Sequence, residues 1–404
     1  IGSVMRKLID EKKIPGTVSL VARKGKVVHF EANGLRDVER GLPMELDTIF
    51  RLYSQSKPVT GVAVMILFEE GRFLLTDPVS KYLPEFSNMR VYIGEEDGVI
   101  KTEPAAPITI QQLLIHTSGL TYDFSQNPVS KMYLENGVVG NAYIKGSPEG
   151  TMRPGQASTL ENLDEWSKLV AKMPLVAQPG TQWNYSVGMD VLGRLVEVVS
   201  GQSFGAFLDE RIFSPLGMSD TGFYVPKNKL DRFAANYVPG ADGQIQLFED
   251  PQVSPYLESP NLEMGGSGLV GTVGDYLKFA QMLVNKGEYE GSRILGRKTV
   301  EFMVSNHLTP GFSDDPLSSL YGSVVGGRAW GIGAAVTGLV VTNPATYGLP
   351  VSAGLYSWGG AASTDFWIDH QEELVGIIHT QLLPSGTYPT AQLMQLTTYQ
   401  AITD

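Results

Sequence analysis

The stretch 51-RLYSQSKPVTG-61 leads into the longest uninterrupted apolar run of the chain, 62-VAVMILF-68. A segment that is apolar nearly all round predicts a buried helix rather than a surface one. Lys57 is unexpected at the start of such a helix, because the partial positive charge of a helix N-terminus disfavours a cation. The position of this lysine therefore needs an explanation.

A chemical role for Lys57 follows from its spacing to Ser54. Residues three apart share one face of a helix, so the two side chains can lie within hydrogen-bond reach. Burial and positive potential both lower the pKa of a lysine, and a neutral amine is a general base for a serine hydroxyl. The pattern S-x-x-K is short and arises often by chance, so a helix-capping Ser54 beside a solvated Lys57 stays an alternative.

Strand patterns stand at both ends of the sequence. Residues 17–34 alternate as a hairpin, and residues 328–381 hold further strand candidates, the last two joined by a turn at 370–372. Helical periodicity marks three stretches between them: 109–120, 187–201 and 272–287. This order predicts an α+β fold, an α/β sandwich whose antiparallel sheet is built from both termini.

The same order predicts two domains. We expect an α/β domain from residues 1–76 and 290–404, and an inserted, mainly helical domain at 77–289. Long loops are expected at 121–160 and 238–268, because both are rich in Gly, Pro, Asn and Ser. A cleft should form where the two domains meet, and such junctions often hold active sites.

Composition narrows the function. The 404 residues include no cysteine and carry a net charge of -12, which excludes thiolate chemistry and argues against nucleic acid as a partner. The five histidines lack metal-site spacing, so we expect neither metal nor cofactor. No apolar run is long enough to span a bilayer. The lack of a leader-like start favours the cytoplasm, whereas a signal peptide before Ile1 would direct the protein to the periplasm or out of the cell.

Two further motifs carry candidate chemistry. In 179-PGTQWNYSVGMDVLG-193, Tyr185 stands just before a helix and could relay a proton if a nearby cation stabilises its phenolate, although an isolated tyrosine is more often packing. In 356-YSWGGAASTDFW-367, two glycines interrupt a strand. Such glycines mark close approach of a ligand or of another backbone, and a free N–H there could serve an oxyanion; a β-bulge is the alternative.

The order of these three motifs resembles the serine β-lactamase and penicillin-binding-protein superfamily. Within it, the chain looks most like the family VIII carboxylesterases, the esterase branch related to class C β-lactamases. The resemblance spans nearly the whole chain and includes three supporting stretches: 113-LLIHTSGL-120, 215-PLGMSDTGF-223 and 265-GGSGLVGTVGDYLKF-279. It implies a serine β-lactamase-like fold.

The resemblance also implies site residues. Ser54 would be the nucleophile, Lys57 its base partner, and Tyr185 the residue that passes the proton to the leaving group. The N–H groups of Ser54 and Ala361 would form the oxyanion hole. The resemblance implies substrate-binding positions on the late strand and in one loop: Trp358, Gly359, Gly360 and Asp123.

Two departures from the family pattern bear on the substrate. A class C β-lactamase has Asn two residues after its tyrosine, where this chain has Val187, and Lys-Thr-Gly where this chain has 358-WGG-360. The lost lysine would pair with the carboxylate of a β-lactam, and Trp358 offers an apolar surface in its place. A neutral ester suits this pocket better than an anionic lactam.

We therefore predict a serine carboxylesterase that hydrolyses short- to medium-chain esters of small molecules through an acyl-Ser54 intermediate. One alternative is an acyltransferase on the same machinery, resembling the statin side-chain transferases. Another is a β-lactamase or D-amino-acid peptidase, and a third is a non-catalytic scaffold that keeps the fold. The sequence leaves the oligomeric state open.

Other motifs have structural interpretations. The stretch 201-GQSFG-205 matches a nucleophile elbow, but that elbow needs a preceding strand and the residues before it look helical. Ser203 is therefore expected to cap a helix. His116 is expected to be structural and charged near a helix C-terminus, where a cation is favourable. The loop 265-GGSGLVG-271 is expected to let a helix pack closely.

Overall fold

The computed structural model describes residues 1–138, 160–241, 243–308 and 331–404. The strands of these segments, in chain order, are β1 Gly16–Arg23, β2 Lys26–Asp37, β3 Leu42–Pro43, β4 Phe50–Arg51, β5 Arg90–Glu96, β6 Val99–Pro104, β7 Asn236–Pro239, β8 Ile245–Glu249, β9 Val270–Gly271, β10 Glu288–Tyr289, β11 Ser292–Arg293, β12 Ile332–Ala335, β13 Gly338–Val341, β14 Tyr356–Gly360, β15 Thr364–Asp369 and β16 Leu374–His379.

The helices of the same segments are α1 Gly2–Asp10, α2 Lys57–Glu69, α3 Ile110–Leu114, α4 Pro128–Glu135, α5 Leu163–Val170, α6 Gly188–Ser200, α7 Phe204–Leu208, α8 Ser214–Leu216, α9 Val273–Val284, α10 Arg297–Met303, α11 Pro344–Tyr347 and α12 Thr390–Tyr399. A π-helical segment, Asp209–Phe213, joins α7 to α8. Short 3-10 helices are Tyr53–Ser56, Val79–Lys81, Pro84–Asn88, Lys227–Arg232, Pro251–Val253 and Pro255–Leu257.

The eight-stranded sheet has the order β12-β13-β14-β15-β16-β1-β2-β3. The two ends of the chain meet in the antiparallel pairing of β1 with β16, in which Val18 lies opposite His379. The prediction of an α+β fold with an antiparallel sheet built from both ends of the sequence is confirmed. The division into domains 1–76 with 290–404 and 77–289 stays a prediction.

The two faces of the sheet are covered differently. On one face, the β15 residue Trp367 packs in a cluster with Met5 of α1 and Met394 of α12. On the other, Phe366 and Ile377 belong to the large core that includes α2, α6 and α9. Every α2 residue from Lys57 to Leu67 is buried, which agrees with its apolar composition.

The middle of the chain contains more strand than its sequence pattern predicted. β5 and β6 form a hairpin around Asp97-Gly98, and β7 pairs with β8, a strand inside the predicted loop 238–268. An Asp-Gly pair between alternating residues is a strong hairpin signal, so β5 and β6 could have been recognised. Residues 139–159 of the predicted loop 121–160 lie outside the described residues, as do residues 328–330 at the start of the predicted strand region 328–381.

Candidate active site

The 3-10 helix Tyr53–Ser56 leads directly into α2 and presents Ser54 next to Lys57. From 51 to 60 every residue is buried except Ser54, which is partly exposed. Lys57 Nζ lies 3.1 Å from Ser54 Oγ. The expectation that these side chains meet is therefore confirmed, and the serine alone is open to solvent.

Lys57 is fully buried, and its amine has a second polar partner. Nζ donates a hydrogen bond to the Gly266 carbonyl oxygen at 2.7 Å. It also lies 4.6 Å from the centre of the Tyr185 ring. Burial lowers the pKa of Lys57 well below the usual range of a lysine, while the nearby Asp190 carboxyl opposes that shift. A lysine in this position can exist as the neutral amine that a general base requires.

Tyr185 completes the cluster from the loop before α6. Its hydroxyl donates to Ser54 Oγ at 2.7 Å. Burial raises the pKa of Tyr185 above its usual value, although the hydrogen bond with Ser54 opposes the shift. The side chain is thus a phenol at neutral pH and can give a proton, whereas the sequence argument considered a phenolate.

The end of β14 packs against the residues that precede Ser54. A Cβ placed on Gly360 would lie 2.1 Å from the Leu52 carbonyl oxygen, so only glycine allows this approach. Ala361 follows and packs against the cluster that contains Tyr53. Ser54 lies in the first turn of its 3-10 helix, where backbone N–H groups have no intrahelical partner. The Ala361 N–H donates no backbone hydrogen bond in the described part of the chain. Both N–H groups are available to a ligand.

The remaining predicted positions lie on β14 and in the loop after α3. The Trp358 ring lies 5.7 Å from the Tyr185 ring, centre to centre, and so borders the cluster. Gly359 faces away, because a Cβ there would lie 2.3 Å from Asp365 Oδ1 on β15. Asp123 is half-buried beside Tyr122, whose ring lies 4.8 Å from that of Tyr185. The structure thus brings Trp358 and the loop that contains Asp123 to the cluster, whereas Gly359 faces β15 and not the cluster.

Comparison with known proteins gives the family. The β-lactamase family profile matches residues 1–397. This chain belongs to the β-lactamase family.

Relatives within the β-lactamase family cover nearly the whole chain. An uncharacterized protein of Mycobacterium tuberculosis is 33% identical over 387 residues, covering 94% of this chain and 89% of that protein. Esterase EstB of Burkholderia gladioli is 29% identical over 407 residues, covering 96% and 91%. The solved structure of EstCE1, described as a hydrolase with promiscuous acyltransferase activity, matches with a TM-score of 0.80 at 28% identity, covering 98% and 96%. These matches confirm the resemblance to the esterase branch.

His116 belongs to the site of this β-lactamase-family chain, although the sequence argument did not place it there. Its ring lies 5.0 Å from that of Tyr185 and stacks on Trp358 at 6.5 Å, centre to centre. Its Nδ1 lies 3.1 Å from Ser186 Oγ. Burial, followed by the nearby Lys57 amine, lowers the pKa of His116, so it is neutral. The prediction of a charged histidine at a helix end was wrong, because the ring is buried in the site.

Other contributors also escaped the sequence argument. Tyr122 lies beside both Tyr185 and Lys57, whose Nζ is 5.4 Å from the centre of the Tyr122 ring. Asp190 accepts a hydrogen bond from the Gly266 N–H at 2.7 Å. The available signal for Asp190 was an acidic residue among the apolar neighbours of 187-VGMDVLG-193. A buried carboxyl group in such a helix needs a partner, which only the fold reveals.

The structural interpretations of two other motifs agree with the fold. Ser203 is exposed and caps α7, its Oγ accepting from the Ala206 N–H at 3.3 Å, and the element before it is the helix α6. A Cβ on Gly265 would lie 2.6 Å from the Met189 carbonyl oxygen, so this loop does allow close packing of α6. Among the residues described, no cluster of His, Cys, Asp and Glu has the arrangement of a metal site. No described helix is long and apolar enough to cross a bilayer.

Proposed function

We propose that this protein is a serine carboxylesterase that acts on neutral esters of small molecules, with Ser54 as nucleophile. The observation that carries the proposal is the position of Ser54 Oγ, 3.1 Å from Lys57 Nζ and 2.7 Å from the Tyr185 hydroxyl. A nucleophile within reach of a base and of a proton donor has the groups that acyl transfer needs. The esterase EstB and the hydrolase EstCE1 support the reaction class.

Acylation begins when Ser54 Oγ attacks the ester carbonyl carbon. Lys57 takes the serine proton, and the carbonyl oxygen becomes an oxyanion that the N–H groups of Ser54 and Ala361 hold. Each such donor typically contributes about 10²–10³ in rate. When the intermediate collapses, the bond from the carbonyl carbon to the alcohol oxygen breaks. The departing alkoxide takes the hydroxyl proton of Tyr185, which regains a proton from Lys57.

Deacylation uses the same groups in the opposite direction. A water molecule attacks the acyl carbon of acyl-Ser54, and its proton passes to the Tyr185 and Lys57 pair. Collapse of the second oxyanion returns the proton to Ser54 Oγ and releases the carboxylic acid. Because the raised pKa of Tyr185 keeps its phenol protonated, its proton is available for the leaving group in acylation.

The residues around Ser54, Lys57 and Tyr185 indicate the class of substrate. Trp358 presents its ring beside Tyr185, and Val187 stands where the β-lactamase pattern has an amide. Neither side chain carries a positive charge that would pair with a substrate carboxylate, and this favours a neutral acyl group. A panel of p-nitrophenyl esters of increasing acyl length tests this proposal. We expect turnover of short and medium chains, and a lack of turnover for every ester would refute it.

Acyl transfer to an alcohol is the second candidate, and the acyltransferase activity in the description of EstCE1 favours it. An alcohol would replace water in deacylation, with the same proton path. Adding alcohols to p-nitrophenyl butyrate and measuring the ratio of new ester to free acid distinguishes the two. Acid as the main product at modest alcohol concentrations supports the esterase.

Two further alternatives have direct tests. A β-lactamase would turn over nitrocefin far faster than p-nitrophenyl butyrate, and we expect the reverse because Trp358 replaces the lysine of that pattern. A non-catalytic scaffold would fail to react with a fluorophosphonate probe, which labels activated serines. We expect labelling of the peptide that contains Ser54, and the absence of labelling in folded protein would favour the scaffold.

A further inference from the structure

Asp190 is a carboxyl group buried next to the Ser54 cluster without a role in the reaction described above. Its side chain is 0% exposed, and its neighbours Met189 and Val191 are buried apolar residues. Burying a carboxylate is strongly unfavourable unless it is paired and hydrogen-bonded. The chain therefore retains this acid at a cost in stability, and the surrounding contacts indicate why.

Asp190 is connected to Lys57 through Gly266. Asp190 Oδ1 accepts the Gly266 N–H at 2.7 Å, and the Gly266 carbonyl oxygen accepts from Lys57 Nζ, also at 2.7 Å. A Cβ on Gly266 would lie 2.8 Å from Asp190 Oδ2, so a glycine is needed for this approach. One residue thus joins the carboxylate to the amine that contacts Ser54.

The second oxygen of Asp190 supports a role for its charge. Oδ2 is buried and has no hydrogen-bond partner among the residues that the structure describes. A purely structural carboxylate would be expected to use both oxygens, and an unsatisfied buried group needs an explanation. Long-range attraction to the Lys57 ammonium requires no direct hydrogen bond to Oδ2.

The charges around Asp190 come from several elements. Lys57 of α2 is the cation that faces it, and Asp123 adds negative potential from the loop after α3. The phenols of Tyr122 and Tyr185 feel the negative potential of Asp190, and the neutral His116 faces Lys57. Burial raises the pKa of Asp190, while the Lys57 charge opposes that shift. Lys57 is therefore the group whose charge Asp190 can stabilise.

We propose that Asp190 is a positioning residue that holds the Gly266 carbonyl against Lys57 and, through its negative charge, sets the pH range in which Lys57 accepts the proton of Ser54. It touches neither the substrate nor Ser54. The inference rests on the proposed function, because it assigns Lys57 as the base. The carboxylate stabilises the ammonium that forms as Ser54 attacks, which makes the buried amine a stronger base.

The variant Asp190→Asn tests the charge. Asparagine has the same shape and can still accept the Gly266 N–H, but it cannot stabilise the Lys57 ammonium. We expect the acid limb of kcat/KM for p-nitrophenyl butyrate to move to lower pH by about 1 unit or more. The plateau should fall as well, because a weaker base assists proton transfer less. An acid limb at the wild-type pH would overturn the proposal.

Asp275→Asn is the matched control. Asp275, in the first turn of α9, is another buried carboxyl group. It accepts hydrogen bonds from the Asp220 N–H and the Thr221 hydroxyl. Its loss should lower the melting temperature without moving the acid limb. An equal shift in both variants would show a general effect of lost acidic charge and would contradict the specific role of Asp190.

A thermal double-mutant cycle tests the pairing without any enzyme activity. Lys57→Met leaves the Asp190 carboxylate buried without its cation, so its melting temperature should fall. Adding Asp190→Asn to that variant should restore part of the loss, because the unpaired charge is gone. Additive losses would overturn the proposal. The cycle remains informative if wild type lacks esterase activity, so failure of the proposed function and failure of this inference are distinguishable.

Discussion

Ser54 and Ser203 both precede a helix, and each stands in a short motif that is typical of a nucleophile. Ser54 Oγ contacts the Lys57 amine and the Tyr185 hydroxyl, 3.1 and 2.7 Å away. Ser203 Oγ accepts the Ala206 N–H, and the side chain is exposed. The two hydroxyl groups are chemically the same, and their surroundings separate them.

The difference lies in what burial does to the neighbouring groups. Around Ser54, burial lowers the pKa of Lys57 and raises that of Tyr185, which favours an unprotonated amine and a protonated phenol. Around Ser203, the hydroxyl satisfies a backbone N–H that a helix start would otherwise leave unpaired. A serine becomes a nucleophile when nearby groups can take and return its proton.

The largest expected effect in this comparison comes from Ser54→Ala. We expect kcat/KM for p-nitrophenyl butyrate to fall by about 10³-fold or more, because the covalent intermediate cannot form. The melting temperature should change little, since Ser54 is partly exposed. Steady-state kinetics on folded protein make the test, and activity within tenfold of wild type would exclude Ser54 as nucleophile.

Tyr185→Phe removes the proton donor and leaves the ring in place. We expect kcat to fall by about 10²-fold or more, because the departing alkoxide must take its proton from elsewhere. Tyr133→Phe is the control, since Tyr133 of α4 is a fully buried tyrosine that the proposed mechanism does not use. Unaltered kcat in the Tyr185 variant would assign that hydroxyl a structural role.

The pH dependence is the next effect in size. Because Lys57 must be neutral to accept a proton, kcat/KM should rise with pH through its pKa, which burial lowers. The acid limb of the pH profile should therefore lie at a pH well below the usual pKa of a lysine. The enzyme then keeps substantial activity at neutral pH. A pH profile on a non-ionising ester measures the limb, and a limb near the pKa of a free lysine would contradict the assignment.

Ser203→Ala should have the smallest effect on activity. The variant loses the cap of α7, which should reduce the free energy of unfolding by about 1 kcal/mol. Its kcat/KM should match wild type. Denaturant unfolding and ester hydrolysis measured on the same preparation provide both values. A loss of activity comparable to that of Ser54→Ala would reverse the roles of the two serines.

What the sequence could predict depended on distance along the chain. The contact of Ser54 with Lys57 follows from helix geometry, because both residues lie within one turn. Tyr185 enters the site through tertiary packing, so its motif alone left a proton relay and plain packing both open, and the resemblance to a known family favoured the relay. Asp190 stands out only as an acid among apolar neighbours, and nothing in the sequence around it or around His116 identifies the groups they contact in the fold. Their polar atoms affect the site only because packing buries them away from water, where each contact becomes important.

The fold itself was easier to predict than the site. Alternation in 17–34 and the strand patterns in 328–381 indicated the strands of the central sheet, because successive side chains of a strand point to opposite faces. The hairpin of β5 and β6 was missed although Asp97-Gly98 marks its turn. Its apolar residues Ile93 and Val99 are exposed in the fold, so these side chains do not contribute to the core.

The pairing of β1 with β16 has a consequence for synthesis of the protein. Ser54 leaves the ribosome early, whereas Ala361 and the strands that hold it in place come late. Contacts between segments so far apart in sequence form slowly, since a long loop must close first. Until then, a nascent chain carries Ser54 and Lys57 without the Ala361 N–H that the proposed oxyanion hole requires. Catalytic competence should appear only after β16 has emerged, so that esters in the cell meet an inert serine until translation is nearly finished.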